Sequence, residues 1–162
     1  MLIDPAVWCE DRRMNTEDIV RSWAQRWNAG DAAGMTELFT VDCSYRDRAF
    51  QTHFTGLEGV AEWMRITQSH IPDLHIELHA AFGNERQAMA RYTLSGTFGP
   101  DHPFDAGQEV AGSTFSVPAA SCFTVREGRI HAVEDFYNLA DVMRQLGLPA
   151  GPFTPRESRR SG

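Results

Sequence analysis

Basic residues are few in this chain, and it has no long apolar run. Fifteen basic residues stand against 22 acidic ones, which gives a formal net charge of −7. Nucleic acids and anionic membranes are bound through basic patches, so we expect neither as a partner. No apolar run approaches the ~20 residues that a membrane-spanning helix needs. The N-terminal segment MLIDPAVWCEDRR also lacks the basic start and apolar core of a signal peptide.

Cysteine is equally sparse. The chain has three cysteines, Cys9, Cys43 and Cys122, and no CxxC spacing among them. An odd count without that spacing argues against a disulfide scaffold and against a zinc site. We therefore expect reduced thiols and a cytoplasmic protein.

The length of the chain predicts a single domain. With 162 residues, 42% of them hydrophobic, the chain can bury one sizeable core. We place this domain at residues 15–148. Residues 1–14 are expected to form an N-terminal extension, and residues 149–162 a disordered tail because they are polar and rich in glycine and proline.

Helical signals come first along the chain, and strand signals dominate its second half. The predicted helices run from a cap at Asn15 or Thr16 to about Gly30, from a cap at Asp31 to about Phe39, over 57–69, and over 138–146. The predicted strands lie around Cys43–Arg48 and at Leu74–Phe82, Gln87–Phe98, Ser113–Val125 and Arg129–Tyr137. Helices followed by a run of strands predict an α+β fold.

Two local signals refine this prediction. Pro118 lacks the N–H that a strand interior uses, so it predicts a sheet edge or a bulge in the middle of its strand. Glu127 and Gly128 lie between two strand patterns and predict a hairpin turn. The segment around His53 and Gly56 has no strand pattern and is expected to be a loop.

Several short motifs share their order and spacing with one known family. They are Trp27-Asn28-Ala29-Gly30-Asp31, Phe54-Thr55-Gly56-Leu57-Glu58-Gly59-Val60, Pro72-Asp73-Leu74, Gly96-Thr97-Phe98-Gly99, and Gly128-Arg129-Ile130 followed by Asp135 and Arg144-Gln145-Leu146-Gly147. Together they resemble the SnoaL-like polyketide cyclase family, which has the nuclear transport factor two-like fold. The resemblance implies a cone-shaped barrel: a curved antiparallel sheet packed on three N-terminal helices, with a short C-terminal helix.

The resemblance also implies a function and a catalytic residue. Members of this family close rings in polyketide intermediates of secondary metabolism by an aldol reaction, without a cofactor. Asp135 matches the carboxylate that serves them as acid and base. An apolar pocket would raise the pKa of such a carboxylate toward the working pH. The expected partners are a hydrophobic small molecule and further copies of the chain, as a dimer or tetramer.

Residues around Asp135 supply further candidates, because residues two apart on a strand share a face. His131, Asp135 and Tyr137 should therefore line one side together. Tyr137 either hydrogen-bonds an oxyanion or is an ordinary core tyrosine, and His131 is either in the pocket or exposed. Tyr45 and His53 are the other candidates for catalytic residues.

Candidate substrate contacts are less specific. Trp63, Phe123 and Phe39 are either core residues or walls of a pocket for a ring-shaped substrate. Arg91 either faces inward and pairs with Asp135 or faces solvent. Asp47 shares a strand face with Tyr45 and either points into the cone with it or, between Arg46 and Arg48, forms an ion-paired strand end, which the flanking arginines favour.

Histidines at 75 and 79 do not make a metal site in this interpretation. They share a strand face, but a rise of ~3.3 Å per residue separates them by about 13 Å. We therefore expect no metal and no other cofactor.

Two other functions remain open. The chain departs from the cyclase pattern at Phe98, where the family often has histidine, and in the loop AGQEVAGSTFSVP. One alternative is an epoxide hydrolase or epoxide-opening cyclase. Such enzymes place an arginine and an aspartate two residues apart on a middle strand. Here Arg91 is present, but Thr93 stands where the aspartate would be. The other is a binding or dimerising module without catalysis.

Overall fold

The computed structural model describes residues 15–104 and 109–150 of the chain. The predicted N-terminal extension and most of the predicted tail lie outside these residues. The helices are α1 (Thr16–Ala29), α2 (Ala32–Glu37), α3 (Gly56–His70) and α4 (Leu139–Gln145). The strands are β1 (Phe39–Asp47), β2 (Thr52–Thr55), β3 (His75–Gly83), β4 (Gln87–Thr97), β5 (Thr114–Arg126) and β6 (Arg129–Tyr137).

The α+β architecture is confirmed, with two differences in the sheet. Six strands form a single sheet in the order β2-β1-β6-β5-β4-β3. The neighbours β1 and β6 run parallel, so the sheet is mixed and not wholly antiparallel as expected. Thr52–Thr55, which we expected to be a loop, pairs with the end of β1 as a short strand.

Helix ends follow the predicted caps. The side chain of Asn15 accepts a hydrogen bond from the Asp18 N–H at 2.8 Å, and Asp31 accepts one from the Gly34 N–H at 2.9 Å. These bonds satisfy N–H groups that the first helical turn leaves unpaired. Gly30 ends α1 with a φ of +65°, a left-handed conformation that favours glycine.

The strands β4 and β5 alternate between a buried and an exposed face, and this alternation helps to position the site. On β4 the inward residues are small, aromatic or aliphatic, and the outward ones are polar or exposed. The helices α1 and α3 cover the buried face, α1 against β3 and β4 and α3 against β1. A space remains between this face and the two helices at the end where β1 and β6 finish.

Pro118 lies at a local edge, as its sequence predicts. Its strand β5 is central, but β6 pairs only with Ala119–Arg126, so Pro118 has a neighbouring strand on one side alone. On the open side, Gln145 of α4 bonds the backbone N–H and C=O of Ser116, at 2.9 and 3.0 Å. Because N–H groups two apart point the same way, the missing N–H of Pro118 leaves no ladder bond unmade.

Candidate active site

A cavity of about 210 Å³ lies between the sheet and the helices α1 and α3. Most of its wall is aromatic or aliphatic, and its titratable lining residues are Asp47, Asp135, His70 and three tyrosines. The lining residues are Trp23, Trp27, Tyr45, Asp47, Phe50, Thr52, Phe54, Trp63, Ile66, Thr67, His70, Ile71, Leu74, Ile76, Tyr92, Leu94, Phe98, Pro103, Phe115, Asp135, Tyr137 and Val142. No arginine or lysine is among them.

Asp135 lies at the inner surface of this cavity. It follows Val133 by two residues on the inward face of β6, and the residue is only 8% exposed. The Ser121 hydroxyl, on the neighbouring strand β5, donates a hydrogen bond to Asp135 Oδ1 at 2.6 Å. The Tyr45 hydroxyl also interacts with this carboxyl from β1.

A chain of hydroxyl groups extends from Asp135 in both directions. The Tyr92 hydroxyl lies 3.0 Å from Ser121 Oγ, and since Ser121 donates to Asp135, its oxygen is free to accept from Tyr92. On the other side, the Trp27 indole N–H donates to the Tyr45 hydroxyl at 3.2 Å. These partners fix the orientation of the carboxyl and of both tyrosines.

Burial raises the pKa of Asp135 from 3.8 to about 7. The hydrogen bond from Ser121 opposes this rise, the negative charge of Asp47 adds to it, and the hydrogen bond from Tyr45 opposes it. A carboxyl group with such a pKa exchanges its proton readily near neutral pH, which suits a general acid and base.

The cavity tyrosines remain protonated donors. Burial, first among the causes, raises the pKa of Tyr45, Tyr92 and Tyr137 well above 10.0. Each phenol can therefore donate a hydrogen bond to an oxygen that gains negative charge.

Asp47 is a second buried carboxyl that the sequence interpretation misplaced. It is 4% exposed, and it accepts hydrogen bonds from the Phe50 N–H at 2.9 Å and from the Tyr137 hydroxyl at 2.8 Å. The expected ion pair with its neighbours is wrong, because alternation turns Arg46 and Arg48 to the other face, where Arg48 pairs with Glu134. Burial raises the pKa of Asp47 as well, although both hydrogen bonds oppose the rise.

His53 and Arg91 do not reach the cavity, contrary to their candidate roles. Thr52 and Phe54 line it, so His53 between them points to solvent. Arg91 is exposed on the outer face because its neighbours on β4, including Tyr92, are buried on the inner face. Arg91 therefore cannot pair with Asp135.

Phe39 and Phe123 are buried but lie behind the cavity wall. Phe39 stacks on the Tyr45 ring at a centroid distance of 6.2 Å, and Phe123 meets the edge of Trp23 at 5.1 Å. Phe39 precedes the lining residues of β1, and Phe123 follows the lining residue of β5, so neither belongs to the cavity lining. Trp63 and Tyr137, by contrast, belong to the lining.

His131 does not share the face of Asp135. The register of β6 against β5 shifts between Ile130 and Ala132, so a bulge interrupts the alternation. Ile130 and Val133 are both buried, and His131 lies between them near Thr40, with 3.0 Å between His131 Nδ1 and Thr40 Oγ1.

The described part of the chain offers neither a metal centre nor a membrane-spanning helix. Within 15–104 and 109–150, no group of three or more histidine, cysteine or acidic side chains is arranged to hold a metal ion. In the same residues no helix is long and apolar enough to cross a membrane.

Sequence comparison identifies the family. The model of the SnoaL-like domain matches residues 20–133, which is most of the chain. The chain belongs to the SnoaL-like domain family. The match includes the strands that carry Asp47, Tyr45 and Ser121 and ends two residues before Asp135. No curated protein has a significantly similar sequence.

Solved structures with this SnoaL-like fold are numerous. A hypothetical protein from Catenulispora acidiphila with a ketosteroid isomerase-like fold, crystallised with trimethylamine, is 28% identical with a TM-score of 0.70, covering 85% of this chain and 98% of that one. A candidate polyketide cyclase from Silicibacter is 28% identical with a TM-score of 0.65, covering 79% and 92%. Another, from Xanthomonas campestris, shares the fold at 22% identity and a TM-score of 0.69, covering 80% and 94%.

Proposed function

We propose that this SnoaL-like protein is a cofactor-independent cyclase or isomerase of a hydrophobic, polyketide-like small molecule. The observation that carries the proposal is Asp135, a buried carboxyl with a pKa of about 7 in an apolar cavity. The candidate cyclase from Silicibacter and the complex of the Catenulispora protein with a small molecule support a ligand cavity of this kind.

The proposed reaction needs only proton transfers. The Asp135 carboxylate takes a proton from a carbon between two carbonyl groups, which leaves an enolate and a neutral carboxylic acid. The enolate carbon attacks a second carbonyl carbon of the same molecule and closes the ring. Asp135 then returns its proton to the alkoxide, so the carboxylate is regenerated.

Tyr45 and Tyr137 are the proposed donors to the substrate oxygens. Each phenol would turn its O–H from the carboxyl that it contacts in the structure, Asp135 for Tyr45 and Asp47 for Tyr137, to the substrate oxygen. Both phenols line the cavity and stay protonated at neutral pH because burial raises their pKa. Hydrogen bonds aimed at a developing oxyanion stabilise it strongly in a site that excludes water. The aromatic wall, including Trp63, would hold the flexible substrate in a folded conformation that favours ring closure.

Two other mechanisms receive less support from the chain. Ring closure through an imine would need a lysine, and the sequence contains none. Epoxide opening by a paired arginine and aspartate would need a cation in the cavity, but Arg91 faces away from it.

The test is turnover of a panel of polycyclic β-keto intermediates by the wild type and by Asp135→Asn, with and without EDTA. We expect cyclisation that survives EDTA and falls by about 100-fold or more in the variant, in line with general acid–base contributions. Glu134→Gln is the matched control, since it alters the adjacent carboxyl, which faces the other side of the strand.

Unchanged turnover in Asp135→Asn would refute the acid–base role. If the wild type turned over no member of the panel but bound them, the result would favour the binding module over the enzyme.

A further inference from the structure

We propose that the cavity binds its ligand through a positively charged amine, with Asp47 as the counter-ion. This inference rests on the proposed function only in taking the same cavity as the substrate site. It adds a charged group to the expected hydrophobic substrate.

The first argument is the unmatched charge of Asp47. The carboxyl is almost fully buried, yet among residues 15–104 and 109–150 no arginine or histidine forms an ion pair with it. The Phe50 N–H and the Tyr137 hydroxyl both donate hydrogen bonds to it, which is the arrangement of an ionised acceptor. A buried carboxylate without a cation is costly, and such costs are characteristic of binding sites.

The second argument is the sign of the whole cavity. Among the residues that the structure describes, the lining contains two carboxyl groups and no arginine, and the sequence has no lysine. His70 on α3 is the basic group of the lining, and burial lowers its pKa, so it is neutral at neutral pH. A carboxylate or phosphate ligand would therefore meet repulsion, whereas an ammonium group would meet attraction.

The third argument is the aromatic wall. The cavity that contains the two carboxyls is also lined by five large aromatic side chains: Trp23, Trp27, Trp63, Tyr45 and Tyr92. The faces of indole and phenol rings attract cations, most strongly when the cation is removed from water. Rings and a carboxylate together can replace the hydration shell of a protonated or quaternary amine.

The hydrogen-bond partners of the two carboxyls favour Asp135 for proton transfer and Asp47 for binding the amine. Asp135 contacts the hydroxyl network of Ser121 and Tyr45 and has a pKa suited to proton exchange. An amine held against Asp135 would lower that pKa and weaken the base. An amine held against Asp47 offsets only the contribution of the Asp47 charge to the raised pKa of Asp135, and burial, the largest cause of the rise, remains.

The test compares two probes of nearly equal shape at pH 8. Benzyltrimethylammonium carries a positive charge, and neopentylbenzene replaces its nitrogen by carbon. Binding is followed by tryptophan fluorescence and by calorimetry on the full chain. We expect the cation to bind at least about tenfold more tightly than the uncharged probe.

Variants assign the effect to one residue. Asp47→Asn keeps an acceptor for the Phe50 N–H. It should lower the affinity for the cation by about tenfold or more and change the affinity for the neutral probe little. Asp42→Asn, an exposed carboxyl of the same strand, is the control and should change neither. Equal affinity of the two probes for the wild type, failure of the cation to bind, or undiminished cation binding by Asp47→Asn would each overturn the proposal. Because binding is measured without turnover, these outcomes are independent of the acid–base role of Asp135.

Discussion

Asp135 couples the chemistry of the site to the stability of the fold. Its carboxyl group is held by Ser121 and Tyr45 in a space that disfavours its charge. The folded chain therefore holds this proton more tightly than the unfolded chain, in which the pKa is about 3.8. A raised pKa in the folded state adds stability that is complete below the unfolded value and is lost as the pH rises to about 7.

The expected effect of Asp135 on the pH dependence of the free energy of unfolding is large enough to measure. At about 1.4 kcal/mol per pH unit, the rise from 3.8 to about 7 corresponds to roughly 4 kcal/mol. Asp135→Asn stays neutral, so it should escape that loss. We expect its melting temperature, relative to the wild type, to increase between pH 4 and pH 8 and then level off.

Thermal unfolding across this pH range, followed by circular dichroism, makes the measurement. Asp42→Asn serves as the control for removing a carboxylate, since Asp42 is exposed. Parallel curves for wild type and Asp135→Asn would show that the carboxyl is not forced toward neutrality by burial.

At the scale of helices and strands, several family motifs supply side chains that hydrogen-bond one element to another. Asn28, in the first motif, accepts from the Ile76 N–H at 2.7 Å and donates to the Ile76 carbonyl at 2.9 Å. It thus satisfies the free edge of β3 from the end of α1. Asp73 likewise accepts from the Thr97 N–H at 2.6 Å and from its hydroxyl at 2.7 Å, which joins two motifs.

Asn28 should therefore matter for stability and not for ligand binding. Asn28→Ala removes both bonds to an edge strand, and we expect a loss of about 1–3 kcal/mol in the free energy of unfolding. Urea unfolding measures the loss, and Gln25→Ala, an exposed position on the same helix, is the control. A variant as stable as the wild type would show that water replaces the amide at this edge without cost.

Most helices and strands were predictable from the sequence, but the burial of individual side chains was not. Alternation on β4 and β5 and the caps at Asn15 and Asp31 are local signals, so the elements they define are confirmed. Thr52–Thr55 is too short for alternation to show, and its strand depends on pairing with β1. The bulge beside His131 also depends on pairing, so spacing on β6 alone placed that residue wrongly.

The site was predicted in part for the same reason. Asp135 was found by resemblance and Tyr45 by its position on β1. Asp47 shares the face of Tyr45, a signal that was available in the spacing, but the flanking arginines suggested a surface ion pair. Ser121, by contrast, was detectable only as a polar residue at an inward position of β5, and its role depends on contact with β6.

The whole molecule leaves an apolar area on the outer face of its sheet. Phe82, Met89 and Phe136 are 53%, 41% and 43% exposed, and Phe82 and Met89 are direct neighbours on β3 and β4. Phe136 faces the same side two strands away, next to Ala120. Apolar area of this kind on an open sheet favours association, and a second copy of the chain is the occupant expected from the sequence.

We predict that this face joins copies of the chain into a dimer or tetramer. Light scattering coupled to size exclusion should give a multiple of the single-chain mass for the wild type. Met89→Arg combined with Phe136→Arg places like charges on the face and should yield single chains, because each copy would then repel the other. Val41→Arg is the control, since Val41 is 79% exposed on β1 outside this area. The double variant should still bind the neutral probe, because neither substituted residue lines the cavity. A wild type that is a single chain in solution, or a double variant that still associates, would refute this arrangement.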